Sequence, residues 1–341
     1  MRKGAGGRRR GEGDASRSVS PLSRHAPVSK RGAAHSSRAD APPARAVAPP
    51  PRTVAVVGAG RLGTALARAL GACGYEVRGL VARTAAGARR AAKRAGVETL
   101  ALGMNQLERL PPVGLLFITT PDGSIGETAR ALAALPPQRA SVALHASGAL
   151  ASDVLAPLRA RGFGVGSMHP LAAVSEAEAG AESLRRAFYC VEGDARAVRA
   201  ARRVVRELGG ESFRIKTELK ALYHGSAVLA AGHVVALFDV AADTLRRCGL
   251  SEPRAREVLL PLLRSTVENL SRQTPARALT GSFARADVET VRRHLRALAE
   301  LEDSDAPAVY KILGGHSLEL AERAGADPAL AERIRRLMSK D

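Results

Sequence analysis

Three short polar clusters in the sequence carry side chains able to move protons. "LHASGAL" sets His145, Ser147 and Gly148 together, "GSMHPL" sets Ser167, His169 and Pro170, and "LKALYHGSA" sets Lys220, Tyr223 and His224. On a helix, Lys220 lies three residues from Tyr223 and four from His224, so all three can face one cleft. Such a set suits a reaction in which a hydride joins C=O or C=N and a neighbouring group supplies the proton. His169, Lys220 and His224 are the candidate acid–base groups, and Ser147 a hydrogen-bond donor to the reacting atom. His145, Gly148 and Tyr223 are candidates to line the substrate. Each histidine taken alone also reads as a structural residue. The three are widely separated in sequence and share no recurring acid, so no metal site is expected. His233 either lines the same channel or faces helix packing. Further on, "LTGSFARADVETVRRHL" carries Arg285, Asp287 and His294. Asp287 reads first as a helix N-cap. Arg285 reads equally as a ligand for an anionic substrate group and as an ion-pair partner within its own domain.

A hydride carrier is suggested by "VAVVGAGRLG", which has glycines at Gly58, Gly60 and Gly63 between an apolar strand and a helix. In a dinucleotide-binding turn the first glycine permits the tight bend. The second lets backbone approach a pyrophosphate, and the third lets helix pack on strand. Arg61, Leu62 and Gly63 open that helix, whose free N–H groups favour phosphate. The next strand, in "GYEVRGLVARTAAGARR", ends without the acid that holds ribose hydroxyls and carries Arg83-Thr84 instead. An arginine beside a hydroxyl can grip a 2′-phosphate bidentately, so NADP(H) is expected over NAD(H). The alternative for Arg83 is a solvated surface arginine. "FITTPDGSI" brings Thr120, Pro121 and Asp122 to the end of a third strand, where the nicotinamide ribose is expected. Asp122 also reads as an N-cap for the helix that follows.

These residues need elements to position them. From Arg52 to about Ala187, apolar strands alternate with helices, which predicts an α/β Rossmann domain with a mostly parallel, doubly wound sheet over residues 52–186. Residues 187–216 add a strand–helix–strand passage that completes the sheet. From 217 to 341 strand signals vanish and helical periodicity runs to the C-terminus, giving an all-α domain. Its first helix is expected to run about thirty residues, to Gly249, with enough Ala and Gly for other helices to pack close.

The chain has 341 residues and a formal charge of +19, with 45% hydrophobic residues. Residues 1–51 hold eleven Lys/Arg against three Asp/Glu and almost no large apolar side chains, so they read as a disordered basic tail. The remaining charge is spread over many helices, and only 3% of residues are aromatic. Nucleic acid is therefore not the expected partner. Three distant cysteines read as reduced thiols of a cytoplasmic protein. Charged residues are taken to interrupt every apolar run before 18 residues, so no membrane span is expected.

The chain resembles the 6-phosphogluconate dehydrogenase superfamily and, within it, the Rossmann-like proteins carrying the domain of unknown function 2520. The pieces that carry the resemblance are "VGAGRLGTALA", "LHASGAL", "GSMHPL", "LKALYHGSAVLAAGH" and "LTGSFARADVETVRRHL". The resemblance implies an NADP(H)-dependent oxidoreductase acting on a small, anionic metabolite, and a homodimer through the helical domain. Lys220 matches the catalytic lysine of β-hydroxyacid dehydrogenases, but Tyr223-His224 stand where those enzymes have two asparagines. His169-Pro170 resembles the His-Pro of prephenate dehydrogenases. His233 and Ala286 stand where the closest family has Asn and Gly. The alternative to an enzyme is a non-catalytic dinucleotide sensor or scaffold.

Overall fold

The computed structural model describes residues 52–136 and 142–339; the tail 1–51 lies outside them. Eight strands form one sheet, in the order β3-β2-β1-β4-β5-β6-β7-β8. The first half alternates β1 (Thr53–Val57), α1 (Arg61–Ala72), β2 (Glu76–Ala82), α2 (Ala85–Ala95) and β3 (Leu100–Gly103). Then come β4 (Leu115–Ile118), α3 (Asp122–Ala133), β5 (Val142–His145), α4 (Ala156–Arg159) and β6 (Gly164–Pro170). These six strands are parallel. After α5 (Ala177–Leu184), the passage β7 (Phe188–Gly193), α6 (Ala195–Glu207) and β8 (Glu211–Phe213) closes the sheet. β7 runs antiparallel to β6, and β8 parallel to β7.

Continuous apolar strands are stable here because both faces are covered. Val54, Val56, Phe117 and Leu144 face one core with α1 and α6. Ala55, Val57, Ile118 and Ala143 face the other with α3 and α4. Register then sets the site: Val57 pairs with Ile118, Ile118 with His145, and His145 with Ser167. The residues that follow each strand therefore emerge along one edge of the sheet, where ligands bind in such folds.

The C-terminal helices are α7 (Lys220–Ala230), α8 (Gly232–Arg247), α9 (Glu252–Arg272), α10 (Pro275–Ala278), α11 (Val288–Ala299), α12 (Ala306–Arg323) and α13 (Pro328–Met338). The last three share a small core around Val291, Leu318 and Ile334. The described residues cluster as one compact unit.

Four expectations need correction. The thirty-residue helix is broken at Ala231, whose φ of −125° and ψ of −70° leave the helical region. That helix is also not enclosed by its neighbours. Residues 221–238 contain no Asp, Glu, Lys or Arg, so the expected interruption of every apolar run fails there. Thr217–Arg247 is long and apolar enough to cross a membrane by length and composition, and its apolar window is only 6% buried. The stretch "ALASDVLAPLRARG" (149–162), which reads from sequence as a helix, is a 3-10 turn followed by one turn of α4. β3 and α5, not foreseen, are short elements at the edges of the pattern.

Candidate functional site

The glycine loop is tied down by backbone. Gly58 and Ala59 donate their N–H groups to the Val81 carbonyl, at 2.9 and 2.8 Å. Gly58 has a φ of +110°, a region open to glycine and few others. A Cβ on Gly63 would lie 2.2 Å from the Gly58 carbonyl oxygen, so helix and turn touch there. Above Gly60 a Cβ would meet nothing within 4 Å. The N-terminus of α1 has no side-chain cap and no acid in its first turn. A tight turn, a close helix and an open cradle at uncapped N–H groups together fit a pyrophosphate. Leu62 packs its side chain on the core. Arg61 and Arg83 are exposed. Thr84 caps α2, its Oγ1 accepting from the Gly87 N–H at 3.1 Å.

Thr119, at the start of the turn expected to line the nicotinamide ribose, locks the loop by donating its Oγ1–H to the Gly58 carbonyl at 2.8 Å. The neighbouring Thr120 Oγ1 is buried and has no hydrogen-bond partner among the described residues. An orphaned hydroxyl beside the cradle is a polar group that a ligand can satisfy. Pro121, not Asp122, occupies the N-cap position of α3. The Asp122 carboxylate instead accepts from Ser147 Oγ at 2.7 Å, joining the cofactor-side turn to the turn after β5.

That second turn is fixed from several sides. His145 is fully buried; its Nε2 donates to the Ala151 carbonyl and its Nδ1 accepts from the Ser147 N–H, both at 3.2 Å. Burial, with the Lys220 charge nearby, lowers its pKa to about 3. It is a neutral brace with no surface for a substrate, contrary to the sequence expectation. Ser147 Oγ donates to Asp122 and accepts from the N–H groups of Ala149 and Leu150, so its hydrogen-bonding capacity is taken up. Lys220 is 1% exposed. Its Nζ donates to the Ser147 carbonyl at 3.1 Å and to Ser167 Oγ at 2.5 Å, with Glu192 Oε1 at 3.9 Å. Burial pushes its pKa down, against the pull of Glu192. Ser147 and Lys220 are both buried and bonded within the protein, whereas the sequence placed them among the groups that act on the substrate. Glu192 was missed from sequence; its one signal is an acid following the apolar run Tyr189–Val191.

His169, Tyr223, His224 and Gly148 do converge. Tyr223 Oη is 2.7 Å from His169 Nδ1, and the His169 ring stands edge-on to both Tyr223 and His224. A Cβ on Gly148 would lie 2.4 Å from His224 Nδ1 and 2.8 Å from His169 Nε2. Both imidazoles therefore pack so closely over Gly148 that only glycine fits there. His224 Nδ1 is buried without a partner among the described residues. Burial, then the neighbouring His224 and Lys220, lower the His169 pKa to about 4. Burial pushes the Tyr223 hydroxyl well above its ordinary range. Both groups are uncharged at neutral pH.

Asp287 caps α11, its carboxylate accepting from the Thr290 N–H at 3.0 Å and from Thr290 Oγ1 at 2.7 Å. Arg285 is exposed and forms no ion pair among the described residues, although its charge helps lower the Asp287 carboxyl. His294 Nδ1 pairs with Tyr310 Oη at 2.8 Å, on α11 and α12. No cluster of metal-ligating side chains occurs among the described residues.

The fold is similar to that of a Thermotoga maritima protein, at 23% identity and a TM-score of 0.61, over 80% of this chain and 99% of the other. It is also similar to a Bacteroides fragilis protein whose name proposes an NADP oxidoreductase, at 21% identity and a TM-score of 0.63, over 78% and 98%. A reductive aminase from Aspergillus terreus, in complex with NADPH and ethyl levulinate, aligns at 21% identity and a TM-score of 0.54, over 83% and 98%. No curated protein matches by sequence. Residues 39–170 match the Rossmann-like domain, and residues 187–317 match the domain of unknown function 2520. The chain therefore belongs to the Rossmann-like proteins that carry the domain of unknown function 2520.

Proposed function

We propose that this protein is an NADP(H)-dependent oxidoreductase. It moves a hydride to or from a small metabolite at a C=O/CH–OH or C=N/CH–NH carbon. The observation that carries the reading is the cradle over Gly60, open at the uncapped start of α1 and walled by Gly58, Gly63 and Thr119. The names of two structural neighbours, which mention NADP or NADPH, support the choice of dinucleotide. Arg83 and Thr84, in place of an acid, favour the 2′-phosphate, and Arg61 adds positive charge. Thr120, Pro121 and Asp122 would flank the nicotinamide ribose.

Nicotinamide bound there supplies or takes the hydride. His169 handles the matching proton. With Tyr223 donating to Nδ1, the proton of the neutral ring sits on Nε2, on the side of Gly148. In the reducing direction the carbon would gain a hydride and the oxygen or nitrogen the Nε2 proton, while Nδ1 takes the Tyr223 proton, which solvent then replaces. His224 Nδ1 accepts a hydrogen bond from the substrate. Arg285 is assigned to an anionic group on the metabolite. Two chains pair through the exposed apolar face of α7 and α8, on which Leu222 is 73%, Leu229 65% and Val235 70% exposed.

The test is calorimetric titration of the 341-residue chain with NADPH and NADH, beside Arg83→Ala. NADPH is expected to bind more tightly. Loss of the charge-assisted contact should weaken NADPH by roughly 10- to 100-fold. NADH should change by no more than about twofold. If neither nucleotide binds, the reading fails.

A further inference from the structure

We propose that Lys220 and Glu192 form a buried clamp that positions the turn 147–152, holding Gly148 beneath His169 and His224, and that Lys220 itself transfers no proton. The inference rests on the proposed site only in taking His169 and His224 as the reacting side.

Residues 147–151 have no regular secondary structure and Ser152 opens a 3-10 turn, so the backbone groups before it need partners from elsewhere. Lys220 supplies one end. Its Nζ donates to the Ser147 carbonyl and to Ser167 Oγ, and the Glu192 carboxylate at 3.9 Å balances its charge; at 1% exposure the ammonium is closed off from a reactant. Glu192 supplies the other end. Its Oε1 accepts from the Ser152 N–H and its Oε2 from Ser152 Oγ, both at 2.8 Å. Lys220 begins α7, Ser167 lies on β6 and Glu192 on β7, so three separate elements meet at one turn.

An ion pair this deeply buried, 1% exposed on one side and 3% on the other, is a weak source of stability, because desolvation offsets the attraction. Its use is geometric. Gly148 comes so close to both rings that a shift of the turn by a fraction of an ångström would close the opening or tilt the imidazoles. Reacting groups held on a braced turn keep the alignment that proton transfer requires. Lys220 and Glu192 are positioning residues, acting through Ser147 and Ser152.

The test uses the full chain labelled with ¹⁵N-histidine, as Ser152→Ala and as the double variant Lys220→Met/Glu192→Gln. Ser152→Ala keeps both charges paired, and the double variant leaves no uncompensated charge, so both are built to stay folded. In each, native-state amide exchange at residues 147–150 is expected to rise by about tenfold or more. The ring-nitrogen signals of His169 and His224 should shift with it. A pair that only packs would lower thermal stability without moving the ring signals. In the unmodified protein, acetic anhydride should label the exposed Lys93 and Lys216 and leave Lys220 unreacted. Labelled Lys220 in the folded protein overturns the proposal, as do wild-type exchange and ring signals in the double variant. NADPH titration of the same samples separates the two readings: the wild type failing to bind sinks the oxidoreductase, while exchange and ring signals decide the clamp.

Discussion

Tyr223 Oη lies 2.7 Å from His169 Nδ1, joining the first helix of the C-terminal region to the last parallel strand of the sheet. The hydroxyl can donate to Nδ1 or accept from it, and the proposed function takes it as the donor, which puts the ring proton on Nε2. Tyr223→Phe removes the donor and leaves Nδ1 without its partner. The ring is then expected to become a mixture of tautomers, and folding to lose about 1 kcal/mol. Ring ¹⁵N shifts and thermal unfolding measure both. A wild-type ring protonated on Nδ1 would contradict the assignment of Nε2 as the proton donor.

His145 and His169 make stability depend on pH. Their folded pKa values are about 3 and about 4, both below the ordinary imidazole value of about 6.5. Below about pH 6.5 the unfolded chain takes up protons that the folded chain refuses, so stability falls as pH falls. The contribution is fully present above that value and is lost as pH drops towards 4 and then 3. The slope is at most about 1.4 kcal/mol per pH unit for each group. Urea unfolding between pH 7.5 and 4.5 measures it, and His169→Gln should lower the slope by one proton's worth. An unchanged slope in that variant would mean His169 titrates alike in both states.

The three loop glycines should fail in different ways. Gly60 has an ordinary φ of −75° and nothing near its Cβ direction. Gly60→Ala should leave stability within about 0.5 kcal/mol. It should weaken NADPH by roughly tenfold or more, because the methyl enters the space the pyrophosphate needs. In Gly63→Ala the new Cβ would lie 2.2 Å from the Gly58 oxygen and 2.5 Å from Thr119 Oγ1. Helix and turn must then separate, at a cost of about 1–3 kcal/mol. Equal loss of stability in both variants would mean the space over Gly60 is not a binding cradle.

The sheet was legible because each central strand is an uninterrupted apolar run ended by a turn residue. β3 was not, since four residues at a sheet edge leave too short a pattern. The break at Ala231 had no signal, because alanine is the strongest helix former and no proline marks the site. Asp287 was readable as a cap because capping is local chemistry. Lys220 was placed correctly in the cluster, but its role was not readable, since its partners Ser147, Ser167 and Glu192 come from other elements. Ala286 stands where the resemblance leads one to expect Gly, and its φ of +48° lies in the left-handed region that glycine enters most readily.

Gly148→Ala tests the convergence of the two histidines directly. The added Cβ would sit 2.4 Å from His224 Nδ1 and 2.8 Å from two His169 ring atoms, so at least one ring must move. Stability should fall by about 1–3 kcal/mol. NADPH affinity should stay within about twofold, since the cradle is formed by other residues. Calorimetry and urea unfolding on one preparation give both numbers. A stable variant with unmoved imidazole signals would mean the opening over Gly148 is larger than the structure gives.

The apolar face of α7 and α8 predicts the oligomeric state. Residues 221–238 carry no charged side chain, yet Leu222, Leu229 and Val235 stand in solvent in the single chain. Leu222 and Leu229 are seven residues apart, two turns along one stripe of α7. Burying each such side chain is worth about 1.5–3 kcal/mol, so a face of this kind is rarely left open in a soluble monomer. The wild type is expected to sediment at twice the 35.6 kDa of the chain. Leu222→Glu/Leu229→Glu should sediment at the single-chain mass, because two carboxylates cannot be desolvated in the contact. The same preparations mixed with lipid vesicles cover the remaining possibility, since this segment also has the length and composition of a membrane span. A monomeric wild type that floats with vesicles would assign the face to lipid instead of a second copy. A dimer that survives both substitutions would place the interface on another surface.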